Sequence, residues 1–129
     1  MSTIFSKIVN GEIPCYKVAE DANYLAFLDI TPLRKGHVLV IPKVEVDYIF
    51  DLDDDLLSGL ILFSKHVSNK IKNAFPCKKI GVTVIGLEVP HVHIHLIPMN
   101  SLHDMDFTQR KLTLSNDELA QISDLIRLS

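Results

Sequence analysis

Between His91 and Pro98 the chain reads His-Val-His-Ile-His-Leu-Ile-Pro, with histidine alternating strictly with an aliphatic residue until proline ends the run. A period of two belongs to an extended strand, whose successive side chains point to opposite faces. The pattern predicts a strand with His91, His93 and His95 on one face and Val92, Ile94 and Leu96 packed against a core on the other. Three imidazoles in a row invite two chemistries. They can hold a metal, since neutral histidine is the commonest metal ligand. Alternatively they can act on phosphate, one ring as nucleophile and the others as hydrogen-bond donors.

The rest of the chain must supply the support for such a strand. Residues 4–9 read as a short helix or turn ended by Asn10-Gly11. Residues 16–20 and 24–30 read as two strands joined by the turn residues Asp21-Ala22-Asn23, a hairpin. Residues 31–36 form a loop, and 37–41 a third strand halted by Pro42. From Leu52 the period lengthens to that of a helix, with Leu52, Leu56, Leu60, Phe63, Val67 and Ile71 on one stripe. Asp53, Asp54 and Asp55 lie in its first turn, where carboxylates complement the positive end of the helix dipole, and Asn73 and Pro76 close it. Residues 79–85 are rich in β-branched side chains and bounded by glycine, a strand that pairs with the histidine strand. Ser115 and Glu118 form a capping-box pattern opening a last helix that buries Leu119, Ile122, Leu125 and Ile126. This order predicts an α+β fold: an antiparallel sheet of about five strands, one long helix packed on its apolar face, and a C-terminal helix.

A chain of 129 residues is expected to form one domain, spanning 1–129, and to bury a core without disulfides. Its formal net charge of −3 argues against a partner bound through phosphate charge, so no nucleic acid is expected. No run approaches the ~20 apolar residues of a membrane span, and the N-terminus has no signal-peptide pattern. Cys15 and Cys77 are isolated in sequence, which fits reduced core thiols and a cytoplasmic protein.

Four segments in order resemble the histidine triad (HIT) family of nucleotidyl hydrolases and transferases, three of them before the histidine run. They are Ile4 through Pro14; Leu25-Ala-Phe-Leu-Asp-Ile30 with Pro32; and Gly36-His37-Val-Leu-Val-Ile-Pro42-Lys43. The fourth is the His91–Pro98 run itself. Within the family the chain looks closest to the small, Hint-like branch. The resemblance implies a homodimer that cleaves a nucleoside phosphoramidate or related purine-type nucleotide at its α-phosphate and releases a nucleoside monophosphate. Carried over by position, His93 is the nucleophile that becomes nucleotidylated. His95 and His37 donate to phosphate oxygens, and the carbonyl of His91 orients the His93 ring. Asp29 would accept both ribose hydroxyls, although an Asp before Pro32 also suits a turn. Phe5, Ile13, Phe27 and Ile30 match the family's base pocket and suit core positions equally well. Glu88 joins the nucleotide-binding set. His66 and His103 match no motif and read as solvated.

Three departures stand out. Zinc-carrying relatives have a CxxC near the N-terminus, and the matching residues here are Thr3 and Ser6. A glutamine that helps hold the phosphate is replaced by Leu87. The stretch before it is shortened. No metal and no other cofactor are expected, because no acidic third ligand stands at a suitable spacing. A nucleotide-binding or interaction protein with weak catalysis is the rival reading, and Leu87 favours it.

Overall fold

The structure, a computed structural model, describes residues 2–129. Its elements in chain order are α1 (Ile4–Val9), β1 (Lys17–Glu20), β2 (Tyr24–Leu28), β3 (Val38–Pro42), α2 (Asp54–Ala74), β4 (Lys79–Thr83), β5 (Ile94–Met99) and α3 (Asn116–Arg127). Short 3-10 turns stand before α2 and after β5. The five strands form one antiparallel sheet in the order β1-β2-β3-β5-β4. This is the α+β architecture that the hydrophobic periods predict.

Two apolar layers explain why β2 and β3 are buried along their whole length. On one face Val18, Ala26, Leu28, Val38, Val40, Val92, Ile94 and Leu96 meet Leu60, Val67 and Ile71 of α2 and Leu119, Ile122 and Ile126 of α3. On the other, Leu25, Phe27, Leu39 and Ile41 meet Phe5 of α1. Asp53 caps α2 through a bond from Leu56 N–H at 2.8 Å, and Asp54 and Asp55 occupy the first turn. The Ser115–Glu118 capping box opens α3. Leu52 is buried but lies just before α2 rather than within it. Leu125 is 49% exposed, contrary to expectation, because the buried stripe of α3 runs through 119, 122, 123 and 126.

The histidine strand is shorter than its alternation suggests. β5 begins at Ile94, whose partner on β3 is Val40. Continuing that register would set Val92 opposite Pro42, which has no N–H to give to the ladder. Val92 N–H instead bonds the Val46 carbonyl at 2.7 Å. The alternation of faces survives this bend: Val92 and Ile94 join the helix-side core while His91 and His93 pack edge-on to Phe5. β4 also ends early, at Thr83, leaving residues 84–93 without ladder pairing. Gly36 has φ +93° just before His37, and a Cβ there would meet Phe75 at 3.0 Å and Pro98 at 3.1 Å, so glycine alone fits this turn. Cys15 and Cys77 are free thiols, half-buried rather than in the core.

Candidate functional site

Backbone carbonyls set the tautomers of His91 and His93, and a neighbouring imidazole sets that of His95. Nε2 of His91 lies 2.9 Å from the Pro42 carbonyl, which can only accept, so Nε2 carries the hydrogen. Nδ1 of His91 then accepts from the Thr3 hydroxyl at 2.9 Å. The ring is wholly buried and lines neither of the two cavities that His93 borders. Its contribution is its own carbonyl, which accepts Nδ1–H of His93 at 2.7 Å. That bond keeps a hydrogen on Nδ1 and makes Nε2 the nitrogen available for attack, on a ring that borders two cavities.

A second chain of bonds governs His37 and His95. The Leu33 amide donates to Nδ1 of His37 at 3.1 Å, so His37 carries its hydrogen on Nε2. That hydrogen is directed at Nδ1 of His95, 2.9 Å away. His95 in turn carries its hydrogen on Nε2, on the cavity side. The expectation that His37 donates to phosphate directly gives way here: its one N–H is spent on His95, and its ring is 1% exposed. Burial lowers the pKa of His37 and of His95 to about 4, with Lys111 adding to the effect on His37, and His37 and His93 adding to that on His95. Burial also moves His91 below its ordinary value. His37, His91 and His95 are therefore neutral at pH 7, which the relay of single donors requires.

His93 and His95 stand where two cavities meet. One, of about 290 Å³, has an apolar wall that includes Phe5, Ile8, Ile13, Phe27, Ile30 and Leu39. The other, of about 310 Å³, is lined by His37, residues 85–88, Phe107 and Lys111. Asp29, Thr31, Glu88 and both histidines border the two. All six expected nucleotide-binding residues thus come together. Phe5 and Phe27 are core and wall at once, their rings edge to face at 5.6 Å. Ile30, 63% exposed, is wall only. The turn reading of Asp29 holds, since Oδ1 accepts from the Thr31 amide at 2.9 Å, while Oδ2 faces His37 Nε2 at 3.6 Å on the border of both cavities. His66 and His103 are exposed and line neither cavity.

The expectation that no carboxylate joins the imidazoles does not hold in space, since ligand atoms of Asp29, His37 and His95 lie within 4.8 Å of one another. Folding brings together residues that sequence spacing separates. A metal bound there would have to break the His37–His95 hydrogen bond, because two nitrogens at 2.9 Å are closer than adjacent ligands of a tetrahedral ion with metal–nitrogen bonds of about 2.0–2.1 Å. At the N-terminal position of the zinc ligands the fit is poorer. Two alcohols replace thiolates, and Thr3 and Ser6 both hydrogen-bond Glu45 Oε1, the Thr3 amide at 2.8 Å and the Ser6 hydroxyl at 2.6 Å. These bonds hold the Glu45 carboxyl below its usual range.

Four contributors escaped the sequence reading: Thr3 as a partner of His91, the Leu33 amide, Phe107 and Lys111. Phe107 packs edge-on to His95 at 4.9 Å from a stretch that reads as polar and irregular. A lone aromatic in such a stretch was the available signal.

Comparison with known proteins shows the family to which the chain belongs. Residues 10–102 match the model of the HIT domain. The chain is 44% identical over 100 residues to adenosine 5'-monophosphoramidase hnt1 of Schizosaccharomyces pombe, covering 76% of this chain and 74% of that one. It is 36% identical to a HIT-like protein of Borreliella burgdorferi over 98% of this chain and 96% of the relative. A crystal structure of a Hit-like protein from Bartonella henselae superposes with a TM-score of 0.86 at 30% identity, covering 98% of this chain and 95% of the other.

Proposed function

Because this chain belongs to the HIT family, we propose that it is a nucleotide hydrolase or transferase that cleaves a nucleoside phosphoramidate, or a related purine-type nucleotide, at the α-phosphate. The observation that carries the reading is the 2.7 Å bond from His93 Nδ1 to the His91 carbonyl, which leaves the opposite nitrogen bare beside the N–H of His95. The phosphoramidase activity in the name of the fission-yeast relative supports it.

In this reading the base enters the apolar cavity and Oδ2 of Asp29 accepts from the ribose. Nε2 of His93 bonds to phosphorus while the bond to the leaving group breaks. The leaving amine takes that electron pair and a solvent proton. The His93 ring becomes cationic, which strengthens its Nδ1–H bond to the His91 carbonyl. Nε2–H of His95 meets charge on a phosphoryl oxygen, and His37 keeps that hydrogen on the correct nitrogen. Water then attacks phosphorus, Nε2 departs with its electron pair, and the proton shed by water balances the one taken by the amine. Two easier displacements replace one difficult step.

The partner that suits this fold is a second copy of the chain. Val82 on the free edge of β4 and Ile61 of α2 line one surface groove, and Leu62, Val84 and Ile85 are exposed as well, apolar surface of the kind that interfaces cover. Two free thiols fit a reducing compartment such as the cytoplasm. A nucleotide-binding protein with weak catalysis is the second reading, favoured by Leu87, which borders the cavity and cannot donate a hydrogen bond. One experiment separates the two. The protein is incubated with an adenosine phosphoramidate, quenched in denaturant and examined by mass for an adenylyl adduct and for released AMP. AMP with a transient adduct on His93 supports the hydrolase; tight binding without either product supports the rival.

A further inference from the structure

The second cavity carries a charge that the triad does not supply. Among the described residues lining it, Lys111 is the one lysine or arginine, whereas Asp29 and Glu88 are carboxylates. The apolar cavity has no lysine or arginine on its wall. Lys111 sits on a built strap. Leu112 N–H bonds the Pro32 carbonyl at 2.8 Å, Gln109 Nε2 donates to the His103 carbonyl at 2.6 Å, and Asp106 Oδ1 accepts from the Thr108 amide at 2.9 Å. Phe107 anchors the strap against His95 at 4.9 Å and His37 at 6.3 Å. Nζ of Lys111 donates to the Phe107 carbonyl at 2.7 Å and lies 5.8 Å from the centre of its ring. One of its three hydrogens is thus engaged, and two remain for a ligand.

The proposal rests on the hydrolase reading above. The nucleoside has its own cavity, and an in-line attack by His93 sends the leaving group away from the histidine and out of the base pocket. We propose that the Phe107–Lys111 wall is a leaving-group subsite selecting an anionic leaving group, one that carries a carboxylate or a phosphate. The neutral histidines give the α-phosphate hydrogen bonds but no positive charge, so a second anion beyond it needs a cation. The ammonium already acts across this cavity, since it adds to the lowering of His37. An uncharged leaving group leaves Lys111 solvated and gains nothing from it.

The test uses three adenosine 5'-phosphoramidates that share the same P–N bond. Their leaving amines are a simple alkylamine, an amino acid joined through its nitrogen, and an aminoethyl phosphate. Wild type is compared with Lys111→Gln, Lys111→Arg and Lys111→Glu, and kcat/KM for each charged substrate is divided by that for the alkylamine. Lys111 is exposed, so all three variants should fold, and circular dichroism checks that they do. The ratio is expected to fall about tenfold in Lys111→Gln, further in Lys111→Glu, and to stay close to wild type in Lys111→Arg. A fall confined to one charged substrate identifies carboxylate or phosphate as the group selected. Unchanged ratios in Lys111→Glu, or an equal fall for all three substrates, overturn the subsite while leaving the hydrolase reading standing. If wild type turns over none of the three and forms no adduct, the hydrolase reading falls and the subsite with it.

Discussion

Oγ1 of Thr3 lies 2.9 Å from Nδ1 of His91, and the same oxygen accepts the Ser6 amide at 3.0 Å as the N-cap of α1. One hydroxyl thereby ties the helix bearing Phe5 to the residue whose carbonyl orients His93. Thr3→Val, which keeps the shape and removes the hydroxyl, should lower stability by about 1–2 kcal/mol through the lost cap and the unpaired His91 nitrogen. It should also lower kcat by about tenfold while leaving KM close to wild type, and Thr3→Ser should restore both. Unchanged kcat in a folded Thr3→Val would mean that His91 holds its orientation without this contact.

Along the triad the losses should be ordered by distance from phosphorus. His93→Ala should abolish the covalent adduct and cost on the order of 10⁴ or more in turnover. His95→Ala removes the N–H that the proposed mechanism directs at phosphate and should cost about 10²–10³. His37→Ala frees the His95 tautomer without removing a substrate contact and should cost less than His95→Ala. Single-turnover rates rank the three, and a larger loss for His37 would mean that it reaches the phosphate itself.

Acid should destabilise the fold through buried imidazoles. In the unfolded chain His37 and His95 take up protons near the ordinary value of about 6.5, whereas in the folded chain they do so only at about 4. The unfolded state thus binds more protons between these values. Stability should be level above about pH 7 and fall as pH drops from about 6.5 to about 4, by up to about 3 kcal/mol for each ring. Urea denaturation at pH 7.5, 6, 5 and 4.5 measures the slope, and a flat profile would contradict the lowered values.

The proposed function gives the two carboxyl oxygens of Asp29 separate duties. Asp29→Ala should weaken binding of a nucleoside monophosphate by about 1.5–3 kcal/mol, the worth of hydrogen bonds to a charged acceptor. Asp29→Asn retains an oxygen for the Thr31 turn but loses the charge, so it should keep wild-type stability with intermediate affinity. Calorimetric titration with the monophosphate and with inorganic phosphate separates the effects, since equal losses for both ligands would assign Asp29 to the turn alone.

Leu87 is 90% exposed and borders the second cavity. Leu87→Gln would return an amide donor to that wall and should raise turnover of a nucleoside phosphoramidate by about ten- to a hundredfold if the bond forms in the transition state. An unchanged rate in a folded variant would mean that the unpaired segment 84–93 carries the side chain away from phosphate.

The α+β architecture, the acidic start of α2, the capping box of α3 and the faces of the histidine run were all legible, because each depends on hydrophobic period or on local helix-end chemistry, although Asp53 proves to be the cap of α2 rather than part of its first turn. Errors gathered where a neighbouring strand decides the outcome. The start of β5 is set by Pro42 lying opposite Val92, and the alternation of the run does not contain that information. Leu125 was assigned to the buried stripe because 119, 122, 125 and 126 all fall within a helical spacing, and only the angle at which α3 meets α2 and β1 selects among them.

The alternating run by itself determined that three imidazoles share a face beside an apolar layer, since a two-residue period leaves an extended chain no other arrangement. Which nitrogen of each ring carries the hydrogen was decided only by tertiary structure. The partners are the Pro42 and His91 carbonyls, the Leu33 amide and the Thr3 hydroxyl, with the His37 N–H for His95. All but the His91 carbonyl belong to segments far from the run in sequence, and a tautomer follows from whichever donor or acceptor folding brings within about 3 Å. The placement of Asp29, Phe107 and Lys111 around the same cavities has the same origin.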